Sequence, residues 1–196
     1  VGGSVAEISG GKFANGALTS ALQFAFNQAT QRARATSGQE KAVSKLDADS
    51  VYGRDGTRET KFFMDNNGNV VGTSQQGCFG GDRCRITMQE LPPGTTLIGH
   101  THAPAEIPRS RRLTGARARV ADMTRDVPGP GDAAPLGLGG GFPSAIITPR
   151  DYRYLIEGSR ASPTLRYLGG GDPSFGRHVE SNWAPGMSRE QTEALV

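Results

Sequence analysis

The stretch "TTLIGHTHAPAEIP", residues 95–108, holds two of the chain's three histidines, His100 and His102, one residue apart at the end of an apolar run. In an extended chain, residues i and i+2 project from the same side, so the two imidazoles would point together and could reach one ion. Paired imidazoles suit Zn2+, which takes a third protein ligand and, in a catalytic site, keeps a fourth position for water. That third ligand would have to come from elsewhere in the chain. The third histidine, His178 in "GRHVESNW", comes with no Gly-x-Ser-x-Gly or activated-cysteine pattern and reads as a structural or surface residue.

The elements that must position this pair begin at Glu59. "ETKFFMDNNGNVVGT" places two β-rich runs around Asn67-Gly68, the signal of a tight hairpin. "CRITM" and "TTLIGHTH" read as two further strands, the second carrying the histidines at its C-terminal end. Residues 103–141 hold no periodic apolar run and read as a long irregular excursion. "SAIITP", "DYRYLIE" and "PTLRYL" restore strand character, with "TPRD" as a hairpin connection. Helices are expected at Ala17–Ala35, where Leu18, Ala21, Leu22, Ala25 and Phe26 form one apolar face, and near Gln39–Leu46. A short C-terminal helix should start at the capping box of Ser188 and Gln191. The expected class is α+β, a mixed or antiparallel sheet flanked by helices, with residues 1–35 as a leading segment and 36–196 as the domain.

Composition agrees with that class. With 28 glycines, 12 prolines and 35% hydrophobic residues in 196, a loop-rich α+β domain is favoured over a helical bundle. The net charge of +3 does not by itself indicate nucleic acid. No stretch is long and apolar enough to cross a bilayer; "FANGALTSALQFAFNQA" is interrupted by polar residues and lacks the charged start and cleavage site of a signal peptide. Cys78 and Cys84 in "GCFGGDRC" fit either a local disulfide of an oxidising compartment or two thiols, and their spacing is not that of a zinc knuckle.

"LIGHTHAP" resembles the metal-binding strand of the JAB/MPN (JAMM) metallopeptidase-like fold, whose motif is an upstream glutamate, then His-x-His followed by Pro, then Ser-x-x-Asp. The resemblance implies a cytidine-deaminase-like architecture, with Glu59 as general base and His100 and His102 as zinc ligands. For the last ligand, Ser110 stands at the family's distance but Leu113 occupies the aspartate position. Further on, "GPGDAAPL" offers Asp132, with Gly129 where the family has its serine, followed by "GGGFPSAIITPRDYRYLIE", which resembles the family's continuation. Asp132 is the expected ligand; Asp122 and Asp126 are the alternatives. The implied reaction is zinc-dependent hydrolysis of an amide or isopeptide bond in a protein substrate, with Glu59 moving the proton from water to the leaving amine.

"ISGGKFANGALTSALQFAFNQ" is similar to the segment that precedes variable toxin domains near the C-terminal ends of Rhs-repeat and filamentous-haemagglutinin proteins. It implies a secreted interbacterial effector, of the kind that type VI systems deliver into a target cell, released by self-cleavage from an Rhs shell and countered by an immunity protein. A start at Val1 rather than Met is what a processed product or a fragment would show. Two other function classes follow from the residues. "RSRRLTGARAR", with Arg109, Arg111, Arg112, Arg117 and Arg119 and no acidic residue, fits phosphate contacts of a metal-dependent nuclease or nucleic-acid-modifying toxin. It fits equally a solvated loop or a docking surface for an acidic immunity protein, and it has no interleaved aromatics for base stacking. The missing serine also fits a non-catalytic binding domain with a degenerate site.

Overall fold

The computed structural model describes residues 33–47, 59–75, 91–102, 124–138 and 141–196. The expected helix up to residue 32, the strand in "CRITM", Cys78 and Cys84, Ser110, Leu113, Asp122 and the arginines between Arg109 and Arg119 lie outside them.

The hairpin forms where Asn67-Gly68 predicts it. Strand β1 (Thr60–Met64) and strand β2 (Val70–Gln75) flank a turn closed by Asp65, whose Oδ1 accepts the N–H groups of Asn67 and Asn69, each at 2.9 Å. Gly68 takes φ 86° there, a conformation open to glycine at no steric cost. Helix α1 (Ser37–Lys45) starts in a capping box between Thr36 and Gln39, close to the expected start. The buried Gln39 amide then donates to the Asp65 carbonyl and to Thr96 Oγ1, both at 2.8 Å, and so fixes the helix to the hairpin.

Strand β3 (Leu97–Thr101) lies antiparallel to β1, with Lys61 opposite His100 and Phe62 opposite Gly99. Its other neighbour, β4 (Ser144–Ile147), is parallel to it, His100 standing opposite Ile146. Strands β5 (Arg153–Ser159) and β6 (Ser162–Gly169) complete a six-stranded mixed sheet in the order β2-β1-β3-β4-β5-β6. A parallel pair cannot be joined by a tight turn, because the chain must travel back to the starting edge. The chain between residues 102 and 144 makes that return, and its described part contains a 3-10 helix, Pro130–Gly137.

Alternation along the strands divides the core in two. One cluster joins Phe62, Met64, Leu97, Ala145, Ile147 and Leu155 to Val43 of α1. The other joins Ile146, Tyr154, Ile156 and Leu165 to Val127, to Leu136 of the 3-10 helix and to Val179. The last belongs to helix α2 (Pro173–Asn182), which the apolar pattern did not announce. Its local signals were present: Asp172 caps the Ser174 N–H at 2.8 Å and Pro173 occupies the first turn. Helix α3 (Arg189–Glu193) begins at the expected Ser188–Gln191 capping box.

The amino-terminal expectation needs one correction. Ala33 and Ala35 do not end a helix: Ala33 pairs with Gly158 as an antiparallel bridge, and the Ala35 N–H donates to Glu157 Oε1 at 2.7 Å. The apolar periodicity of "ALTSALQFAF" stops at Phe26, and at Ala33 and Ala35 the backbone groups find partners on β5 instead. The last residues of the expected leading segment thus pack on the domain.

Gly99 explains how a bulky core approaches the histidine strand. A Cβ at this position would lie 2.0 Å from the Phe62 ring, and Phe62 is fully buried with no room to retreat. Gly99→Ala should therefore destabilise the domain by about 3 kcal/mol, the upper range for overpacking. Urea unfolding checks this, and a variant within about 0.5 kcal/mol of wild type would show that β1 and β3 are not packed as described.

Candidate metal centre

β3 delivers its two histidines to the face that carries Ile146 and the 3-10 helix. His102 lies just past the strand, but its N–H still donates to the Ile147 carbonyl at 2.8 Å, so the ladder with β4 holds it in extended conformation. The i, i+2 rule then does what the sequence suggested. The two rings stand with centroids 5.1 Å apart, tilted by 39°.

Asp132 arrives from the crossover. The 3-10 helix begins at Pro130, and Asp132 in its first turn closes a loop with Gly129: the Gly129 N–H donates to Asp132 Oδ2 at 2.6 Å, and the Asp132 N–H donates back to the Gly129 carbonyl at 3.1 Å. The carboxylate meets both imidazoles, His100 Nε2 at 3.0 Å from Oδ1 and His102 Nε2 at 3.1 Å from Oδ2. One ligand atom from each of the three residues lies within 4.8 Å of the others. Bonds of about 2.0–2.2 Å in a tetrahedral zinc site put ligand atoms about 3.3 Å apart, so the donor set fits a small divalent cation with little rearrangement. Among the described residues this is the one group of three or more such side chains. Of the two alternative ligands, Asp126 is engaged elsewhere, with Arg150.

The tautomer of His102 is fixed. Its Nδ1 lies 2.8 Å from the Arg125 carbonyl, which can only accept, so Nδ1 carries hydrogen and Nε2 is the nitrogen turned towards Asp132 that could coordinate an ion. This is the outer-shell arrangement by which proteins orient metal-binding histidines. Arg125 also reaches the candidate base: its Nη1 lies 3.8 Å from Glu59 Oε1. Continuing the β1–β3 register by two residues beyond Lys61 and His100 sets Glu59 opposite His102, at the mouth of the hairpin. The four residues singled out in the sequence thus gather at one end of β1 and β3. His178 does not: it is exposed on α2, beside Asn182.

Without a cation the site is an ion cluster. Burial pushes the His102 pKa down, but the Asp132 charge and hydrogen bond, the Arg125 carbonyl and the Glu59 charge reverse this, raising it from 6.5 to about 9. Burial likewise pushes Asp132 up, and the charges of His102 and His100 with their hydrogen bonds hold it well below the carboxylate range. A histidine raised in the folded state contributes stability that is complete below its unfolded pKa and is lost as pH rises through the folded one. Chelator-treated protein should therefore melt at lower temperature as pH rises from about 6.5 to about 9, and Asp132→Ala should flatten that slope. Zinc affinity should run the opposite way over the same range, because binding must displace the proton on Nε2. Thermal melts across the window, with and without zinc, read both signs.

Two participants escaped the sequence reading. The Arg125 carbonyl and the Gly129 N–H act through the backbone, and no side-chain pattern encodes them. Gly129 drew notice only as the residue replacing a serine. Compared with protein-family models, with curated proteins and with solved structures, the chain matches none.

Proposed function

We propose that the chain is a zinc-dependent hydrolase of amide or isopeptide bonds, and that it acts as the delivered toxin domain of an Rhs-type effector opposed by an immunity protein. The observation that carries the catalytic part is the convergence of His100 Nε2, His102 Nε2 and Asp132 on one point, with His102 Nδ1 anchored on a carbonyl. Two nitrogens and one carboxylate oxygen leave a position open, as catalytic rather than structural zinc sites do. Glu59 beside them, at the mouth of the first hairpin, and Asp132 from the β3–β4 crossover support the JAB/MPN-like reading. Gly129 in place of the family's serine departs from it. The delivery part rests on the wording of residues 9–28 alone.

A zinc ion held at this centre supplies a Lewis acid and brings the pKa of a water towards neutrality. The protein's own groups do the rest. Glu59 takes the proton of the attacking water on a carboxylate oxygen and returns it to the leaving nitrogen. Arg125, half exposed beside it, orients that carboxylate. The Arg125 carbonyl and the Gly129 N–H keep two of the three ligands aimed.

Growth inhibition on production in a bacterial host, with metal content of each purified protein, tests this reading. Wild type should inhibit growth and carry one zinc; His100→Ala, His102→Ala and Asp132→Ala should lose both; Glu59→Gln should keep the metal and lose the inhibition. Degradation of plasmid or RNA by the purified, zinc-loaded protein would replace amide hydrolysis with nucleolysis. Inhibition that survives Glu59→Gln would favour a binding domain without turnover.

A further inference from the structure

Every residue of the segment 125–129 is engaged, and its partners fall into two sets. The first set is the metal centre: the Arg125 carbonyl meets His102 Nδ1 at 2.8 Å, and the Gly129 N–H meets Asp132 Oδ2 at 2.6 Å. The second set belongs to other parts of the fold. Asp126, fully buried, accepts the Arg150 backbone N–H at 3.1 Å and the Arg150 Nε. Val127 is 2% exposed in the core cluster it shares with Tyr152 and Val179. The Pro128 carbonyl accepts the Trp183 indole N–H at 2.9 Å.

These anchors lead to one element. Trp183 is the C-cap of α2, and the Arg150 guanidinium sits 5.8 Å from the ring centroids of both Tyr152 and Phe175, the latter on α2. An isolated strap of backbone could not hold a carbonyl and an N–H at fixed points, because each unrestrained residue keeps its φ and ψ freedom. Here the buried Asp126 carboxylate held by a half-exposed Arg150, an apolar side chain and an indole hydrogen bond immobilise the three residues between those two groups.

We propose that Trp183 and the Asp126–Arg150 pair are positioning residues of the metal centre, setting its cation affinity through the segment 125–129 without touching a ligand. The inference rests on the metal-centre reading above. Helix α2 serves that centre through the segment 125–129, so a change at its C-terminal end is felt at His102 and Asp132. Removing such an outer support costs about tenfold in affinity, the lower end for partners that orient ligands directly.

Competition for Zn2+ against a chromophoric chelator, with the full chain, tests the proposal. Trp183→Phe keeps an aromatic ring and removes only the indole donor; Asp126→Asn keeps the size and removes the charge that holds Arg150. Each should bind one zinc about tenfold more weakly than wild type. Val43→Ala, which opens the core cluster on the other face of the sheet, serves as a control for general destabilisation and should bind as wild type does. Affinity of Trp183→Phe within about twofold of wild type, or an equal loss in Val43→Ala, overturns the proposal while leaving the centre intact. A wild type that takes up no zinc overturns both.

Discussion

Asp132→Ala should lower zinc affinity by at least about a hundredfold and abolish growth inhibition, the largest effect expected of any single substitution in this chain. Asp132 is the one anionic ligand, and both imidazoles are aimed at it, at 3.0 and 3.1 Å. Without it His100 and His102 keep their backbone positions but lose the carboxylate that draws their Nε2 atoms together. His102, held by the Arg125 carbonyl, would still offer one nitrogen, which is too few for a catalytic site. The metal-free fold should survive, because Asp132 sits on a 3-10 helix whose packing runs through Leu136. Circular dichroism together with zinc titration separates loss of the site from loss of the fold. Asp132→Glu should recover part of the affinity, since the extra methylene displaces the carboxylate rather than removing it.

The second large effect concerns turnover alone. Glu59→Gln should leave zinc stoichiometry at one per chain and cut hydrolysis by about 10²–10⁴, the range for a positioned acid–base group. The amide preserves shape but cannot accept a proton. Glu59 stands outside the ligand set, at the mouth of the hairpin and 3.8 Å from Arg125, so its loss should not release the ion. Glu59→Asp should fall between the two, because the carboxylate remains but is drawn back. The pair of results, zinc kept and activity lost, is what distinguishes a base from a fourth ligand.

What could be read from the sequence, and what could not, follows from the range of the interactions. The β1–β2 hairpin rests on Asn67-Gly68 and the capping of α3 on Ser188–Gln191, contacts within a few residues, and these were legible; α1 was expected near Gln39–Leu46, but its Thr36–Gln39 capping box was not read. So was the i, i+2 histidine pair, because strand geometry alone makes the side chains coincide. The parallel pairing of β3 with β4 was not fixed, since residues 103–141 give no local sign of the direction of return. Helix α2 was missed because only Gly176 and Val179 are fully buried on it, with Phe175 packed against the core at its start, too few for a periodic signal, although Asp172-Pro173 marked its start. The last residues of the helix expected to run to Ala35 are not helical, because Ala33 bridges Gly158, a contact between residues far apart in sequence. At the candidate centre the grouping of His100, His102 and Asp132 was legible and the backbone groups of Arg125 and Gly129 were not, for those depend on where the crossover is held.

The central claim is that one cation sits between two imidazole nitrogens and one carboxylate oxygen. X-ray absorption at the zinc edge on the purified wild-type protein reads that ligand set directly. The expected result is two histidine nitrogens at about 2.0–2.1 Å, light oxygen scatterers for Asp132 and a solvent ligand, and no bound zinc to absorb in His100→Ala or His102→Ala. Sulfur scatterers at about 2.3 Å, or a spectrum unchanged by removing either histidine, would contradict it.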